Sequence, residues 1–244
     1  MLSKAFLLDT SGINNGFLAT TFDTDALTGG REIVTLSKGN DFYALESAHD
    51  ITVRAGQGDD TVVREAVGND IIDGGEGIDT LVNDVGGNVV MNSGRGSDFM
   101  ISWAGNATLK AGDGEGDTNT MIAGGGNVTM YGNAHGVDWF IFAGGQGAFN
   151  DTVRGAMVND HFDFSNLGNY DGNGQYHETT LDQLSLHGPN QIWIEENGHT
   201  DVINIPGIAH LMDQLGGFQG AEDAGLFILS QKGAEFHPDH DFIM

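Results

Sequence analysis

The chain has 244 residues, including 39 glycines, 3 prolines and no cysteine. Its 35 acidic and 9 basic side chains give a formal net charge of -26, which repels nucleic acids and anionic membranes and suits cations that take oxygen ligands. The absence of cysteine excludes disulfides and thiol catalysis. No apolar run approaches a membrane span, and the apolar stretch 5–8 is too short for the core of a signal peptide. We therefore expect no nucleic-acid partner and no membrane span.

Residues 1–28 contain two irregular strand-like stretches, LLDTSGIN and GFLATTFD. The open edge of a sheet needs a cover, because unpaired backbone groups invite pairing with other chains. We therefore interpret residues 1–28 as N-terminal cap strands that cover one end of the domain that follows.

Residues 29–155 contain a glycine-rich repeat. Five aspartates lie nineteen residues apart and a sixth lies twenty-one residues further on: Asp41, Asp60, Asp79, Asp98, Asp117 and Asp138. The clearest copies read AGQGDDTVV and GGEGIDTLV, in which glycines precede the aspartate and apolar residues follow it. Self-similarity at a fixed period of this length is typical of a solenoid.

Each repeat has a turn half and a strand half. Glycines such as Gly75 and Gly77 permit positive φ and close backbone approach, and the following Thr80–Val82 alternates like a short strand. One position of each strand is apolar, and we predict that these residues form the interior: Val62, Ile72, Leu81, Val90, Met100, Leu109, Met130 and Phe140. The sequence therefore predicts an all-β fold, a right-handed parallel β-roll with two strands per turn.

The spacing of the aspartates also predicts a metal. Stacked turns lie about 4.8 Å apart, and at an effective dielectric of about 20 neighbouring carboxylates at that distance repel by about 3 kcal/mol. A divalent cation between each pair reverses the sign, and glycine-rich turns supply further carbonyl ligands. Calcium accepts six to eight oxygens in a tolerant geometry, whereas magnesium demands a strict octahedron. We predict several Ca²⁺ ions along this edge; the alternative is that the aspartates only form turns.

A second, weaker series lies midway between these aspartates. The first three members of this series are acidic and the later ones are not: Glu32, Asp50, Asp70, Asn88, Ala107 and Asn127. We therefore expect calcium on the second edge, if any binds there, only near Asp50 and Asp70.

The glycine-aspartate pattern resembles the calcium-binding repeat of the repeats-in-toxin (RTX, hemolysin-type) family, written G-G-x-G-x-D-x-U-x. The resemblance covers about residues 29–155, and AGDGEGDTNT departs from it by one extra residue before its aspartate. It implies a parallel β-roll, calcium at the turns, and export from a Gram-negative bacterium by a type I secretion apparatus into the extracellular space. The candidate metal-binding residues are Asp41, Gly56, Gly58, Asp60, Asp70, Gly75, Gly77, Asp79, Gly94, Gly96, Asp98, Gly112, Gly114, Asp117 and Asp138.

Residues 156–244 are interpreted as a C-terminal β-rich cap and secretion-signal region. QIWIEENGHTDVINIPGI predicts a hairpin around 196–198, and the stretch 208–215 has helical spacing before two glycines. The final residues, DFIM, resemble the tail of some type I substrates.

No catalytic motif is present: the sequence has no His-Glu-x-x-His and no Gly-x-Ser-x-Gly. His237, Asp239, His240 and Asp241 could hold a transition metal, although a solvated tail explains them more simply. Trp103, Trp139 and Trp193 are candidates either for the core or for a sugar site. An outward apolar row, formed by Val63, Val82, Ile101, Ile122 and Ile141, would pack against the terminal segments or serve a partner.

We therefore expect a secreted calcium-binding β-roll protein, without an activity of its own, that folds with calcium and serves in the extracellular matrix, in attachment or in partner binding. Two alternatives stay open: a polysaccharide-binding module, and a carbohydrate-active enzyme with an unrecognised site. An ice-binding array is disfavoured, because the outward row Thr61, Thr80, Phe99, Thr118 and Trp139 is irregular.

Overall fold

The computed structural model describes residues 7–9, 32–46, 48–143, 149–165, 167, 169–170, 176–177, 179–196 and 199–229. Its main feature is a parallel β-solenoid of about seven coils, in which each coil contributes one strand to each of two sheets. The predicted parallel β-roll is therefore confirmed, as is the β-rich cap that follows it.

The two sheets are built from alternate strands of the chain. Sheet A contains, in spatial order, Leu7–Asp9 (β1), Glu32–Thr35 (β2), Ile51–Gln57 (β4), Asn69–Glu76 (β6), Asn88–Arg95 (β8), Asn106–Lys110 (β10), Asn127–Tyr131 (β12), Asn150–Arg154 (β14), His199–Asn204 (β20), Gln191–Glu196 (β19) and Leu184–His187 (β18). Sheet B contains Phe42–Leu45 (β3), Thr61–Arg64 (β5), Thr80–Asn83 (β7), Phe99–Ser102 (β9), Thr118–Ala123 (β11), Val137–Phe142 (β13), His161–Asp163 (β15) and Phe227–Ile228 (β21). Asn169–Tyr170 (β16) and Tyr176–His177 (β17) form a separate pair.

Strict stacking of apolar side chains holds the roll together. Leu81 pairs with Val62 in the preceding coil and with Met100 in the next, and all three are fully buried between the sheets. Because side chains alternate between the two faces of a strand, a shift of one residue exchanges core and surface. The interior prediction is wrong at Val90 for this reason: Met91 pairs with Ile72 and lies inside, whereas Val90 faces outward.

The last coils change from aliphatic to aromatic packing. Phe140 stacks on Phe162 at 5.3 Å between ring centroids, Phe142 stacks on Phe164 at 5.3 Å, and Phe227 meets both of the later rings edge-on. Large aromatic rings contribute more buried area per residue than the aliphatic side chains before them. They close one end of the core where β21 joins sheet B.

The C-terminal cap turns the parallel sheet into an antiparallel one. The predicted hairpin is confirmed as β19 and β20, and β18 adds a third antiparallel strand. The predicted helix is confirmed as Ile208–Leu215 (α1), which buries Ile208 and Met212 and ends at Gly216 with φ 83. A second short helix, Phe218–Asp223 (α2), and a 3₁₀ turn, Leu181–Gln183, complete the cap. DFIM and the histidine cluster near it lie outside the described residues.

At the other end, β1 pairs in parallel with β2 and so extends sheet A by one strand. Only Leu7–Asp9 of LLDTSGIN lies within the described residues, GFLATTFD lies outside them, and the N-terminal cap stays a prediction. The outward apolar row on sheet B is confirmed in register, with Ile101 and Ile122 only 1% exposed beside Trp103. Among the helices that the structure describes, none is long and apolar enough to cross a membrane.

We predict that two glycines of one coil differ sharply in their tolerance of a side chain. Gly75 has φ 112, and a Cβ there would lie 2.1 Å from the Gly56 carbonyl oxygen, whereas a Cβ at Gly86 meets nothing within 4 Å. Gly75→Ala should therefore lower the free energy of unfolding by on the order of 3 kcal/mol, and Gly86→Ala should change it by less than about 0.5 kcal/mol. Urea unfolding in calcium-containing buffer measures both, and equal effects would contradict the close coil contact.

Candidate metal centre

The turns that enter sheet B carry a buried column of carboxyl groups, and we call this side of the roll the aspartate edge. Strand register places seven residues in the column: Asp41, Asp60, Asp79, Asp98, Asn119, Asp138 and Asp160. All seven are at most 3% exposed. The predicted carboxylate column is therefore correct at Asp41, Asp60, Asp79, Asp98 and Asp138.

Hydrogen bonds run along the column from coil to coil. The amide N–H of Asp41 donates to Oδ1 of Asp60 at 2.7 Å, that of Asp60 to Asp79 at 2.9 Å, and that of Asp79 to Asp98 at 2.8 Å. The same bond continues from Asp98 to Oδ1 of Asn119 at 3.2 Å and from Asp138 to Oδ1 of Asp160 at 2.9 Å. One oxygen of each of these side chains thus accepts a backbone N–H, which would otherwise be buried without a partner.

Asp117 does not lie in the column, and its predicted position there is wrong. The core sets the register at this point, because Met121 and Ile122 pair with Met100 and Ile101 at a spacing of twenty-one residues. Asn119 consequently takes the place of an aspartate, and Thr120 rather than Thr118 continues the outward row. The same apolar matches were visible in the sequence, and they specify register more strongly than the aspartate spacing does.

The second carboxylate oxygen distinguishes the middle of the column from its ends. Oδ2 of Asp41 accepts from the Ser37 amide and hydroxyl at 2.7 Å each, and Oδ2 of Asp138 accepts from the Asn133 amide at 2.6 Å. Oδ2 of Asp160 accepts from the Met157 amide at 2.6 Å. Asp160 was missed in the sequence, although NDHFDF matches the aromatic pattern of VDWFIF.

In the central coils that second oxygen has no hydrogen-bond partner within the described part of the chain. This holds for Oδ2 of Asp60, Asp79 and Asp98, all of them buried. Burying an acceptor without a partner costs free energy, and an ionised one costs more. Three consecutive turns therefore present the same unsatisfied oxygen to the same side.

Backbone oxygens converge on this place. A Cβ built on Gly74 would lie 2.4 Å from Oδ2 of Asp79 and 2.4 Å from the carbonyl oxygen of Ser93 in the next coil. The two oxygens thus face each other across a space that one carbon atom would fill, and glycine leaves that space open. Oxygens from two coils around one small space are the kind of donor set that calcium takes.

The predicted turn glycines lie where close approach requires them. Six of them have positive φ between 102 and 131: Gly56, Gly58, Gly75, Gly77, Gly94 and Gly96. A Cβ on Gly77 would lie 2.0 Å from the Gly58 carbonyl oxygen, and one on Gly94 would lie 2.1 Å from that of Gly75. The next turn differs: Gly112 lies against the Gly94 carbonyl, Gly114 faces the Asp117 side chain, and Oδ2 of Asp117 accepts from the Gly96 amide at 2.9 Å.

Burial raises the pKa values of the central carboxyl groups. Burial, together with the neighbouring carboxyl groups, raises the pKa of Asp60 to about 6 and that of Asp79 to about 7. The pKa of Asp98 is also raised by burial, although the Ser93 side chain offsets part of the effect. A negative charge at these positions is therefore unfavourable unless a proton or a cation compensates it.

On the opposite edge of the roll the side chains are arranged differently, and the prediction that Glu32 to Asn127 form one series there is wrong. Asp50 and Asp70 belong to different columns, because Asp70 pairs with Ile51 and Val89 while Asp50 lies opposite Asn69. The inward column reads Glu32, Ile51, Asp70, Val89, Ala107, Val128 and Asp151. Apolar residues separate its acids, so this edge carries no continuous carboxylate column.

A buried guanidinium compensates Asp70. Arg64 is fully buried, and its Nε donates to Oδ2 of Asp70. Its other nitrogens donate to Oδ1 of Asn83 at 2.7 Å and to the carbonyl oxygens of Gly86 at 2.9 Å and Gly68 at 2.8 Å. One arginine thus satisfies oxygens of two successive turns, and a metal ligand function for Asp70 would require displacing it.

Side chains alone do not form a multidentate metal site: among the described residues no group of three or more His, Asp or Glu is placed to hold one ion. A cation at the aspartate edge would depend on backbone carbonyls as well. Comparison with protein-family models gives no match for this chain, and comparison with curated proteins gives none either.

We predict that Arg64 and Asp70 stabilise the roll only as a pair. Arg64→Met leaves a buried carboxylate uncompensated and should cost about 3–5 kcal/mol of unfolding free energy. The double change Arg64→Met with Asp70→Asn should recover more than half of that loss, because the neutral amide carries no buried charge and its Oδ1 can still accept the Ile51 N–H. Chemical denaturation tests this, and a double variant no more stable than Arg64→Met would contradict it.

We predict that Asp151 makes the roll less stable at alkaline pH. Burial, with a smaller contribution from Asp201, raises the pKa of Asp151 to about 7. Since the folded state binds this proton more tightly than the unfolded chain, the stability it contributes is full below about pH 4 and is lost as the pH rises towards 7. Asp151→Asn should therefore stabilise the protein by on the order of 2 kcal/mol at pH 8.

The same variant should have little effect at pH 4, where Asp151 is already neutral. Its amide oxygen can still accept the Val128 N–H, which Oδ1 of Asp151 accepts at 2.8 Å. Melting temperatures at the two pH values provide the measurement. A stability difference that does not depend on pH would contradict the assignment.

Proposed function

We propose that the chain is a calcium-binding β-roll protein whose central coils require the ion to fold. The observation that carries this proposal is the repeated unsatisfied oxygen: Oδ2 of Asp60, Asp79 and Asp98 is buried without a partner in three consecutive glycine turns. A cation bound between these turns replaces the repulsion between their buried carboxylates by an attraction to the ion. The RTX resemblance of the same turns supports calcium as the ion.

The donor set fits calcium better than magnesium or a transition metal. Every available donor is an oxygen, from a carboxylate or from a glycine-turn carbonyl, and the carbonyl of Ser93 faces the Asp79 carboxylate. Magnesium would need a strict octahedron and would retain water, and transition metals prefer nitrogen or sulfur ligands. Asp60, Asp79 and Asp98 would hold the ions with carbonyl groups of neighbouring turns, and each ion supplies positive charge between carboxylates of successive coils.

The proposed set is smaller than the six aspartates of the sequence. At Asp138 and Asp160 backbone N–H groups of the chain itself satisfy Oδ2, whereas at Asp41 Ser37 satisfies Oδ2 and Oδ1 is buried without a partner among the described residues. Asn119 brings an amide instead, and its Nδ2 donates to Oδ1 of Asp138 at 3.2 Å. We therefore expect calcium mainly at the coils of Asp60, Asp79 and Asp98. Asp117 lies next to the last of these coils, because its Oδ2 accepts a hydrogen bond from the Gly96 amide.

The biological setting of the proposal follows from the resemblance and the charge. A chain with a net charge of -26 gains most from calcium where calcium is abundant. Export through a type I secretion apparatus and an extracellular role in a matrix, in attachment or in partner binding are part of the proposal. The expected absence of catalytic activity stays a prediction.

The calcium proposal predicts that Asp79→Asn changes stability in opposite directions with and without the ion. Without calcium, the variant loses an unfavourable buried charge, and its new Nδ2–H faces the Ser93 carbonyl, so the melting temperature should rise. With millimolar calcium it lacks a ligand between two coils and should melt lower than the wild type and bind fewer ions. Circular dichroism melts in EDTA and in calcium, with calcium titration calorimetry, provide the measurements.

Asp138→Asn is the matched control. Asp138 is equally buried in the same column, but both of its carboxylate oxygens accept hydrogen bonds. This variant should lose stability in both buffers and keep the calcium stoichiometry of the wild type. An unchanged wild-type spectrum and melting temperature in EDTA would overturn the proposal, as would equal losses of bound calcium in the two variants.

A further inference from the structure

The outer face of sheet A carries a column of amide side chains that the aspartate edge does not use. Across the coils the column reads Asp50, Asn69, Asn88, Asn106, Asn127 and Asn150. It lies at the start of the sheet A strands, on the opposite side of the roll from the glycine turns. We call it the amide column.

Asn88, Asn106 and Asn127 each bond to the asparagine of the coil before them. Nδ2 of Asn88 donates to Oδ1 of Asn69 at 2.7 Å, that of Asn106 to Asn88 at 3.2 Å, and that of Asn127 to Asn106 at 3.4 Å. A primary amide has two N–H groups and an oxygen with two lone pairs. The ladder uses one N–H and one oxygen lone pair of each side-chain amide. Each amide can therefore still offer a second N–H and a second lone pair to a ligand.

A shallow groove of about 410 Å³ runs beside the amide column. Asn69, Asn88, Asn106 and Asn127 form one side of it. The neighbouring outward column forms another part, changing from Ile71 and Val90 to Thr108 and Thr129. The groove thus combines apolar contact area with regularly spaced amide and hydroxyl groups, and no basic side chain lines it.

The polar surface continues beyond the roll onto the cap. Asn204 donates to Oδ1 of Asn150 at 2.6 Å and accepts from Nε2 of Gln191 at 2.8 Å. The indole of Trp193 donates to Oε1 of Gln191 at 3.1 Å and stacks on the His187 ring at 3.7 Å between centroids. Trp193 is only half-buried, so an aromatic surface lies in line with the amide column.

We propose that this groove binds an extended, uncharged polysaccharide laid along the axis of the roll. Sugar hydroxyls both donate and accept hydrogen bonds, as the amides and threonine hydroxyls do, and the C–H faces of sugar rings pack on aliphatic and aromatic surface. Successive coils lie about 4.8 Å apart, close to the length of one pyranose ring in an extended chain. One ring of the chain would therefore lie near the asparagine of each successive coil, and alternate rings of a β-1,4-linked chain would present the same hydroxyl groups.

The charge of the chain selects an uncharged ligand. A polyanion would approach a protein of net charge -26 along a groove with no lysine or arginine in its lining, against a repulsive field. A polycation would need carboxylates in the groove. The groove is lined by four asparagines, and its acidic residue, Asp70, is already paired with Arg64. Because the groove presents neutral hydrogen-bonding groups, a neutral polyhydroxyl chain is the ligand that complements it.

Isothermal titration calorimetry with soluble β-1,4-linked gluco-, xylo- and manno-oligosaccharides, from disaccharide to hexasaccharide, tests this on the calcium-loaded protein. We expect at least one neutral series to bind, with affinity rising up to the tetrasaccharide and then levelling, because four asparagines line the groove. The double variant Asn88→Leu with Asn106→Leu should bind at least tenfold more weakly.

The matched control is Asn40→Leu with Asn92→Leu, two asparagines of the same roll that do not line the groove. It should bind like the wild type, and melting temperatures of both double variants establish that each is folded. The proposal is overturned if no neutral series binds at millimolar concentration, if only galacturonate oligosaccharides bind, or if the control loses as much affinity. None of Asp60, Asp79 and Asp98 lines the groove, so the calcium titration and the sugar titration test the two proposals separately.

Discussion

The vertical stacking of coils is the constraint on which the rest of this structure depends. Parallel strands about 4.8 Å apart place each residue directly on its counterpart in the next coil. This arrangement favours an apolar residue such as Leu81, because it packs directly on the apolar side chains of Val62 and Met100 and fills the interior. A buried aspartate in the same arrangement lies on another aspartate, and the fold must then compensate a charge that it repeats.

The chain solves this problem in three ways, each at a different place. At Asp138 and Asp160 groups of the chain itself satisfy both carboxylate oxygens, whereas at Asp41 Ser37 satisfies only Oδ2. At Asp70 a buried guanidinium reaches oxygens of two turns. The third solution, on our proposal, is an external cation at Asp60, Asp79 and Asp98. Calcium dependence would then belong to the middle of the roll, where no basic side chain of the described residues is paired with the aspartates.

Much of this arrangement follows from the sequence, because the period, the turn glycines and the apolar strand positions all indicate one roll. One error lies where the length of a half-coil changes: the turn between Lys110 and Asn119 is three residues longer than the turn between their partners Asn92 and Asp98. The other error is a miscounted half-coil, because Met91 follows Leu81 by ten residues as Ile72 follows Val62, and this exchanges Val90 for Met91. Aspartate spacing cannot detect such changes, whereas matching Met121 and Ile122 to Met100 and Ile101 does. The bond from Arg64 to Asp70 was not predictable, since nothing in the sequence indicates that this arginine points inward.

The two edges of the roll are coupled through the strands that join them. Strand β6 begins with Asn69 and Asp70 at the amide column and ends with Gly75 and Glu76 at the glycine turns. Its side chains alternate between faces, so the register that aligns Gly75 on Gly56 also aligns Asn69 on Asp50 and Ile72 on Val53. An ion that fixes the stacking of the glycine turns therefore also fixes the spacing of the amides across the sheet. A regular array of hydrogen-bonding groups on the outer face needs no metal near it, because the core transmits the repeat from one edge to the other.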